Sequence, residues 1–325
     1  MNCAACYNES DRSGLDQKTW TCVKKDGAYN LSVLRFFIVN RFKLRYNIPM
    51  KKNVLILFFC ISCALCFAEA GLSEFDSKIM AEITDFRWRL ALIDDFNDVA
   101  AACDDFSSYI NSPEVADNLD EEILLSANNV LTWEKYNALY EINPQDKELE
   151  VFLTAQYRKI REYFKAHKNE PHSKWLYVTA GDILSSSLQY LPLSTAMNEG
   201  LTIKKYYDRA LENDPDFVFC LINIAQWYFH APVISGGGKG KAMKAFLKAE
   251  KSAASDAERY YAKIFLSQAC FEAKNKERAA ELLTQAEAIL PGSRTVKFYR
   301  LLNENGYYYF EYPENRSKIN KKLGL

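Results

Sequence analysis

The sequence predicts an all-α fold built from repeated helix pairs, and three observations support this class. From Leu72 onward, apolar residues recur every three or four positions, as they do along one face of an α-helix. Glycine is rare, and prolines divide the chain into segments of helical length. No segment shows sustained alternation of apolar and polar residues between hairpin turns, so the sequence contains no pattern for a sheet.

The amino-terminal part contains a segment typical of bacterial secretory signals. Two lysines follow Met50, an apolar run spans residues 54–67, and small residues precede a cleavage point after Ala68. The run is shorter than the roughly 20 residues that cross a bilayer, so a signal peptide is favoured over a transmembrane helix. The predicted organisation is an upstream extension from a misassigned start at 1–49, a signal peptide at 50–68, a tetratricopeptide-type helical domain at 69–310 and a polar basic tail at 311–325.

Cysteine positions bear on localisation. The sequence around Cys63 and Cys66 fits a lipidation site poorly, so we expect an exported, periplasmic protein, with a lipid-anchored lipoprotein as the alternative. The C-x-x-C-x-x-C spacing in the apolar run is interpreted as chance, since a signal segment without charge is unsuited to a cluster site. Cys103, Cys220 and Cys270 each lie in an apolar helical pattern, which predicts buried free thiols.

Charge and histidine content exclude several function classes. The chain has 41 basic and 42 acidic residues, so no overall field attracts nucleic acid. Residues 1–68 carry 10 of the basic and 4 of the acidic residues, which leaves 31 against 38 in the exported part and a net charge near −7. Only three histidines occur, and no metal-ligand motif is present, so we expect no metal site and no cofactor.

A repeated pattern identifies the type of helix pair. An aromatic residue or leucine, two spacers and an alanine occur three times, ending at Ala210, Ala249 and Ala286, and two copies close with proline five residues later. The spacings are 39 and 37 residues, slightly above the tetratricopeptide period of about 34. The sequence therefore predicts a tetratricopeptide-repeat helical solenoid, with small alanines where paired helices approach closely.

Other segments show weaker signals of the same kind. We expect residues 120–144 to form a helix pair and residues 174–182 to begin the first helix of a repeat. Residues 294–303 are predicted to form a capping helix, and Tyr307 to Phe310 are expected to pack back on the last repeat.

The glycine-rich stretch after His230 raises the question of phosphate binding. It lacks the G-x-x-x-x-G-K-[ST] spacing and has Ala242 where a hydroxyl residue would be needed. It also follows a predicted helix, at residues 218–230, rather than a strand. We interpret Pro232, Gly236, Gly237 and Gly238 as a lengthened loop between paired helices, with phosphate binding through Lys239 and Lys241 as the alternative.

The repeat register predicts which side chains line the concave face, where such domains receive peptides or ligands. The first helix of one repeat places Phe219, Ile222, Gln226, Phe229 and His230 there, and the next repeat places Tyr261, Gln268 and Phe271 there. These residues are the candidate ligand-binding or partner-binding site. The alternative is that this aromatic stripe belongs to the core.

One region resembles a known family. The stretch Ala225 to Gly238, with its Ala-Pro-x-x-x-Gly-Gly loop, and the Tyr-x-x-Ala-Leu-x-x-Asp-Pro motif at residues 207–215 resemble the T component of tripartite ATP-independent periplasmic (TRAP) transporters. The resemblance extends from about Trp175 to Pro291. It implies an all-α solenoid that pairs with a periplasmic solute-binding protein and receives a small hydrophobic or carboxylated ligand, with no catalytic residues. The poor lipidation site departs from the usual anchored form.

Three hypotheses of function follow. The first is a non-enzymatic periplasmic helper of TRAP-type solute uptake that binds a solute-binding protein. The second is a scaffold or chaperone that binds extended segments of cell-envelope proteins, and self-association into a homo-oligomer is compatible with both. An enzyme is least favoured, since no nucleophile or metalloprotease motif occurs and the acidic pairs at residues 104–105 and 121–122 are typical of solvated helix surfaces.

Overall fold

The computed structural model describes residues 72–325, and about 80% of it is helical, with no strand in that range. The thirteen α-helices of this range are α1 (Glu74–Arg89), α2 (Phe96–Ile110), α3 (Pro113–Ala116), α4 (Glu121–Ile142), α5 (Glu148–Ala166), α6 (Lys174–Ser187), α7 (Leu193–Asn213), α8 (Val218–His230), α9 (Lys239–Ser252), α10 (Asp256–Glu272), α11 (Lys276–Ile289), α12 (Arg294–Glu304) and α13 (Tyr312–Leu323). The all-α class is confirmed. The expectations for residues 1–49 and 50–68 lie outside the described residues.

Local sequence sets the starts of several helices. At the start of α1, Ser73 Oγ accepts a hydrogen bond from the Asp76 amide at 3.0 Å, and the Asp76 carboxylate accepts one from the Ser73 amide at 3.2 Å. Ser255 and Glu258 form the same reciprocal arrangement before α10. Each capping box satisfies amides that have no partner inside the helix, and it therefore fixes where the helix begins.

The expectation of a helix pair in residues 120–144 is wrong, because this segment forms the single helix α4. Asp120 caps its start, with a carboxylate oxygen that accepts from the Glu122 amide at 2.8 Å. No glycine or proline interrupts the segment before Pro144. The chain therefore continues in the helical conformation over six turns, and α4 packs most extensively against α2, with further contacts to α6 and α5.

The second half consists of three helix pairs, α6 with α7, α8 with α9 and α10 with α11, each joined by a short connection and therefore antiparallel. The second helices of the pairs carry Ala210, Ala249 and Ala286, and each of these alanines is 0% exposed. Because alanine has no side chain beyond Cβ, the two helices of a pair approach each other closely at these positions.

The two ends of the described chain meet. Trp88 at the end of α1 packs edge-on against Tyr260 of α10, with ring centroids 6.0 Å apart. The guanidinium of Arg294, at the start of α12, lies 4.2 Å from the ring centroid of Phe96 on α2. The first helices therefore cross to the last helix pair instead of extending away from it.

The carboxyl-terminal residues 311–325, expected as a polar basic tail, include the ordered helix α13. Tyr312 and Ile319 on this helix are buried against α12. Arg316 forms an ion pair with Glu141 at 2.6 Å and donates to the Glu141 carbonyl oxygen at 3.0 Å. Helix α13 is therefore attached to the carboxyl-terminal end of α4 as well as to α12.

Two further expectations concern thiols and membrane spans. Cys103, Cys220 and Cys270 are buried and unpaired, as the sequence predicted. Between residues 72 and 325, no helix combines the length with the apolar composition that crossing a bilayer requires.

Candidate functional site

The candidate residues lie on what we call the inner face, the surface that α4, α6, α8 and α10 turn toward α1 and toward the segment Tyr308–Phe310. Their exposure varies widely along this face. Phe219, Ile222, Gln268 and Phe271 are buried, Gln226, Phe229 and Tyr261 are half-buried, and His230 is exposed. Other parts of the chain cover most of the surface that the sequence predicted to line a pocket.

Three of the candidates belong to the hydrophobic core, and one of them, Phe219, is 7% exposed and lies in the apolar cluster around α6 and α7. Ile222 and Phe271 are 2% and 6% exposed and lie in the same apolar cluster as Phe246 and Ala249 of α9. Their contacts hold the last two helix pairs together, so neither side chain offers surface to a ligand.

The segment Tyr308–Phe310 covers the part of the inner face near Phe229 and Gln268. Phe310 is 2% exposed, and its ring centroid lies 4.5 Å from that of Phe229 and 6.0 Å from that of His230. The Tyr309 amide donates to Gln268 Oε1 at 2.9 Å. The chain therefore fills this groove with its own aromatic side chain and one backbone hydrogen bond.

Helix α1 covers the other part of the inner face. The Arg87 guanidinium lies between two aromatic rings, 4.8 Å from the Trp133 centroid and 5.5 Å from the Tyr261 centroid. Its Nε donates to a carboxylate oxygen of Glu134. The side chains of Arg87 and Glu134 are each only 15% exposed, so the ion pair is enclosed by protein.

A second, half-buried carboxyl group lies beside this ion pair. Asp182 Oδ1 accepts hydrogen bonds from the Tyr207 hydroxyl at 2.9 Å and from Asn223 Nδ2 at 2.6 Å. Burial raises the pKa of Asp182 to about 7, although the positive charge of Arg87 acts in the opposite direction. Asp182 therefore changes its charge near neutral pH.

We call Arg87, Glu134, Asp182, Asn223 and Tyr261 the central cluster. Burial raises the pKa of Glu134 as well, and Arg87 opposes this change by direct pairing. An enclosed group of one guanidinium and two carboxyls is costly unless its members hydrogen-bond to one another, and the observed contacts meet that requirement. The cluster positions charged and polar atoms at the middle of the inner face.

Sequence reasoning found only Tyr261 of this cluster. A signal was present, since Asn223 interrupts the apolar run of α8 and Asp182 interrupts that of α6. A polar residue within an apolar helical run indicates an inward-facing polar contact. Arg87 gave no such signal, because nothing in the local sequence of α1 indicates that this helix packs against the inner face.

The glycine loop is stabilised by its own backbone. The Gly238 amide donates to the Tyr228 carbonyl at 2.7 Å, and the Gly237 amide donates to the Pro232 carbonyl at 3.1 Å. Gly236 and Gly238 have positive φ, +93° and +142°, a conformation that disfavours other residues. A Cβ on Gly237 would lie 1.9 Å from the Ala231 carbonyl oxygen, so the chain passes too closely there for a side chain.

The two lysines that follow the loop are engaged within the protein. Lys239 pairs with Glu272, and Lys241 Nζ donates to the Gly236 carbonyl at 2.8 Å. With its amides and lysines used in this way, the loop has the contacts of an inter-helix connection.

Comparison with known proteins leaves the family open. No protein-family model matches the chain, and no curated protein matches it significantly. Between residues 72 and 325, no group of His, Cys, Asp and Glu side chains is arranged to hold a metal ion.

Proposed function

We propose that this protein is a non-enzymatic, tetratricopeptide-type helper of TRAP-type solute uptake in the periplasm. In this role it binds a solute-binding protein and receives a small carboxylated or hydrophobic ligand at the inner face. The observation that carries the proposal is the set of stacked helix pairs with a buried alanine in each second helix, together with the Ala-Pro-x-x-x-Gly-Gly loop between α8 and α9.

The central cluster supports a carboxylated ligand. Arg87 uses Nε for Glu134, and no residue between 72 and 325 accepts a hydrogen bond from its two terminal nitrogens. Those nitrogens suit a carboxylate, which binds guanidinium through two parallel hydrogen bonds. The rings of Trp133 and Tyr261 beside the guanidinium supply apolar surface for the rest of such a ligand.

Calorimetry with octanoate, and with octanol as its uncharged counterpart, tests the ligand. The variant combines Arg87→Met with Glu134→Gln, because removing one partner alone would leave a buried charge unpaired. The control combines Arg89→Met with Asp85→Asn, an exposed ion pair on the same helix. We expect octanoate binding to weaken at least about tenfold in the first variant, the loss of a charged hydrogen bond, and to persist in the control.

Native mass spectrometry tests the partner. The full-length chain is co-expressed with the solute-binding protein encoded beside it, and a stable complex is expected. A chain that binds neither octanoate nor this protein would contradict the uptake proposal.

The alternative function, a scaffold for extended segments of envelope proteins, is favoured by one observation. Tyr308 has extended backbone angles, φ −137° and ψ 159°, and the 3-10 turn Tyr309–Glu311 that follows places Phe310 on the inner face. The same groove would hold an external segment in the same way, through an aromatic side chain and Gln268. A synthetic peptide with the sequence of residues 306–312 tests this, and binding that increases in the Phe310→Ala variant would favour the scaffold.

A further inference from the structure

A pocket lies between α7, the first turn of α6 and the connection from α5 to α6. Its volume is about 310 Å³, at the lower end of the range of roughly 300–1,000 Å³ that is usual for small-molecule sites. We call it the α7 pocket, because α7 contributes Lys205, Tyr206 and Arg209 to its lining. It shares no residue with the central cluster or with the site predicted from the sequence.

Three aromatic rings form one wall of the α7 pocket. Phe164 stacks on Tyr206, with ring centroids 4.9 Å apart and ring planes 14° from parallel. The Tyr177 ring centroid lies 5.9 Å from that of Phe164 and 6.2 Å from that of Tyr206. All three side chains are half-buried, so each keeps part of its surface open. Such a wall offers apolar area on which a further aromatic ring can stack.

The charges that line the α7 pocket are mostly positive. The charged residues of the lining are Lys168, Lys205, Arg209 and Glu170. Both lysines are exposed, and between residues 72 and 325 neither has an ion-pair partner. Arg209 uses one terminal nitrogen for Glu212, at 2.7 Å. The one carboxylate, that of Glu170, is itself engaged with His167 at 3.0 Å. The lining therefore presents uncompensated positive charge, which attracts an anion.

Three uncharged polar groups of the lining have no hydrogen-bond partner in the described part of the chain. They are the hydroxyls of Tyr177 and Tyr206 and the ring nitrogen Nε2 of His172. The His172 side chain is only 5% exposed, and its Nδ1 hydrogen-bonds to Glu122 Oε2 at 2.7 Å, which orients the imidazole and leaves Nε2 available. Burial raises the pKa of Tyr206 to about 12 and also raises that of Tyr177, so both hydroxyls keep their protons and can donate to an anion.

We propose that the α7 pocket binds a small aromatic phosphate. The ring of this ligand stacks on Phe164 and Tyr206, and its phosphate group meets Lys168, Lys205 and Arg209. A phosphate monoester carries nearly two negative charges and three acceptor oxygens, which suits the two unpaired lysines and the unpartnered donors. The pocket is separate from the inner face, so this proposal does not depend on the function in solute uptake.

Titration calorimetry of the full-length chain with 1-naphthyl phosphate tests the class of ligand. The control 1-naphthol supplies the same ring without the charge, and inorganic phosphate supplies the charge without the ring. The ester is expected to bind at least about tenfold more tightly than either control, because it alone uses both the rings and the charged hydrogen bonds. Its binding should weaken as salt is raised, since the lysines are exposed and screened. No binding of the ester, or equal binding of the ester and either control, would overturn the proposal.

Charge variants locate the binding. Lys168→Gln combined with Lys205→Gln removes two cations from the pocket and should weaken binding of the ester about fivefold or more. Lys244→Gln combined with Lys251→Gln removes the same charge at exposed positions of α9, and this variant should bind the ester as the wild type does. Equal affinity of the two double variants for the ester would place its binding outside the α7 pocket and contradict the proposal.

His172 provides a measurement that needs no substitution. The chain has three histidines, so its imidazole nitrogens give few NMR signals. Addition of 1-naphthyl phosphate should shift the ¹⁵N signal of His172 Nε2 and leave that of His230, on α8, unchanged. A titration that shifts neither signal, or shifts both equally, is incompatible with binding in the α7 pocket.

Discussion

Replacing Asp182 by asparagine tests whether the central cluster contains an enclosed acid. The carboxyl oxygen Oδ1 accepts from Tyr207 and Asn223, and the amide oxygen of asparagine can accept both hydrogen bonds. The substitution therefore removes the titratable charge while it keeps the shape and these contacts. We expect the variant to be more stable than the wild type above neutral pH and similar to it in acid.

The size of this effect follows from the difference in pKa between the folded and unfolded chain. The pKa of Asp182 is about 7 in the folded protein, against 3.8 for an aspartate in the unfolded chain. Between these values the folded state holds the proton and the unfolded state has lost it, so the wild type loses stability as pH rises. The loss is about 1.4 kcal/mol per pH unit, or about 3 kcal/mol between pH 5 and pH 8.

Urea unfolding of both proteins at pH 5, 6, 7 and 8 measures this difference. The stability of Asp182→Asn minus that of the wild type should increase by about 3 kcal/mol over this range, while other titrating groups cancel. Asp105→Asn, at an exposed position on α2, should show no such trend. If the difference in stability stays constant from pH 5 to pH 8, the inference that Asp182 has a raised pKa in the folded protein is wrong.

Three further predictions concern packing. Ala249→Leu and Ala286→Leu should each destabilise the fold by about 1–3 kcal/mol through overpacking, and an unchanged thermal midpoint would contradict the close helix contact. Gly237→Ala should lower the midpoint because its Cβ meets the preceding backbone, whereas Gly240→Ala, which has open space within helix α9, should raise stability by up to about 1 kcal/mol. Phe310→Ala should weaken the attachment of the carboxyl-terminal segment to the inner face by about 3–5 kcal/mol. Faster hydrogen exchange in residues 307–323 would reveal this loss.

Local signals were sufficient to predict the helices of the second half. The predicted limits of the helix at residues 218–230 match α8, and Ala210, Ala249 and Ala286 are buried where the repeated pattern places them. These features depend on residues within one helix pair, so a short window of sequence contains them. Helix α4 was mispredicted as a pair because a repeat register was imposed on a segment with no helix-breaking residue.

The candidate site was less predictable because it depends on contacts between distant parts of the chain. Phe229 occupies the predicted face, but Phe310, some eighty residues later, covers it. The ion pair of Arg87 with Glu134 likewise joins two helices 47 residues apart. Neither contact leaves a periodic signal, since periodicity reports which side of a helix is apolar and not which segment packs against it.

The covered inner face has an energetic consequence for any large partner. A protein segment that binds beside Phe229 and Gln268 must first displace Phe310, whose burial stabilises the attachment of the carboxyl-terminal segment by about 3–5 kcal/mol. Because of this cost, the groove is open in only a small fraction of molecules. The apparent affinity for the partner is reduced in proportion to that fraction. A small ligand at Arg87 needs a smaller opening, because the side chains of Arg87 and Glu134 are each 15% exposed while α1 and the segment stay in place. The enclosed inner face is therefore better suited to a small ligand than to an extended peptide, which favours the uptake proposal over the scaffold.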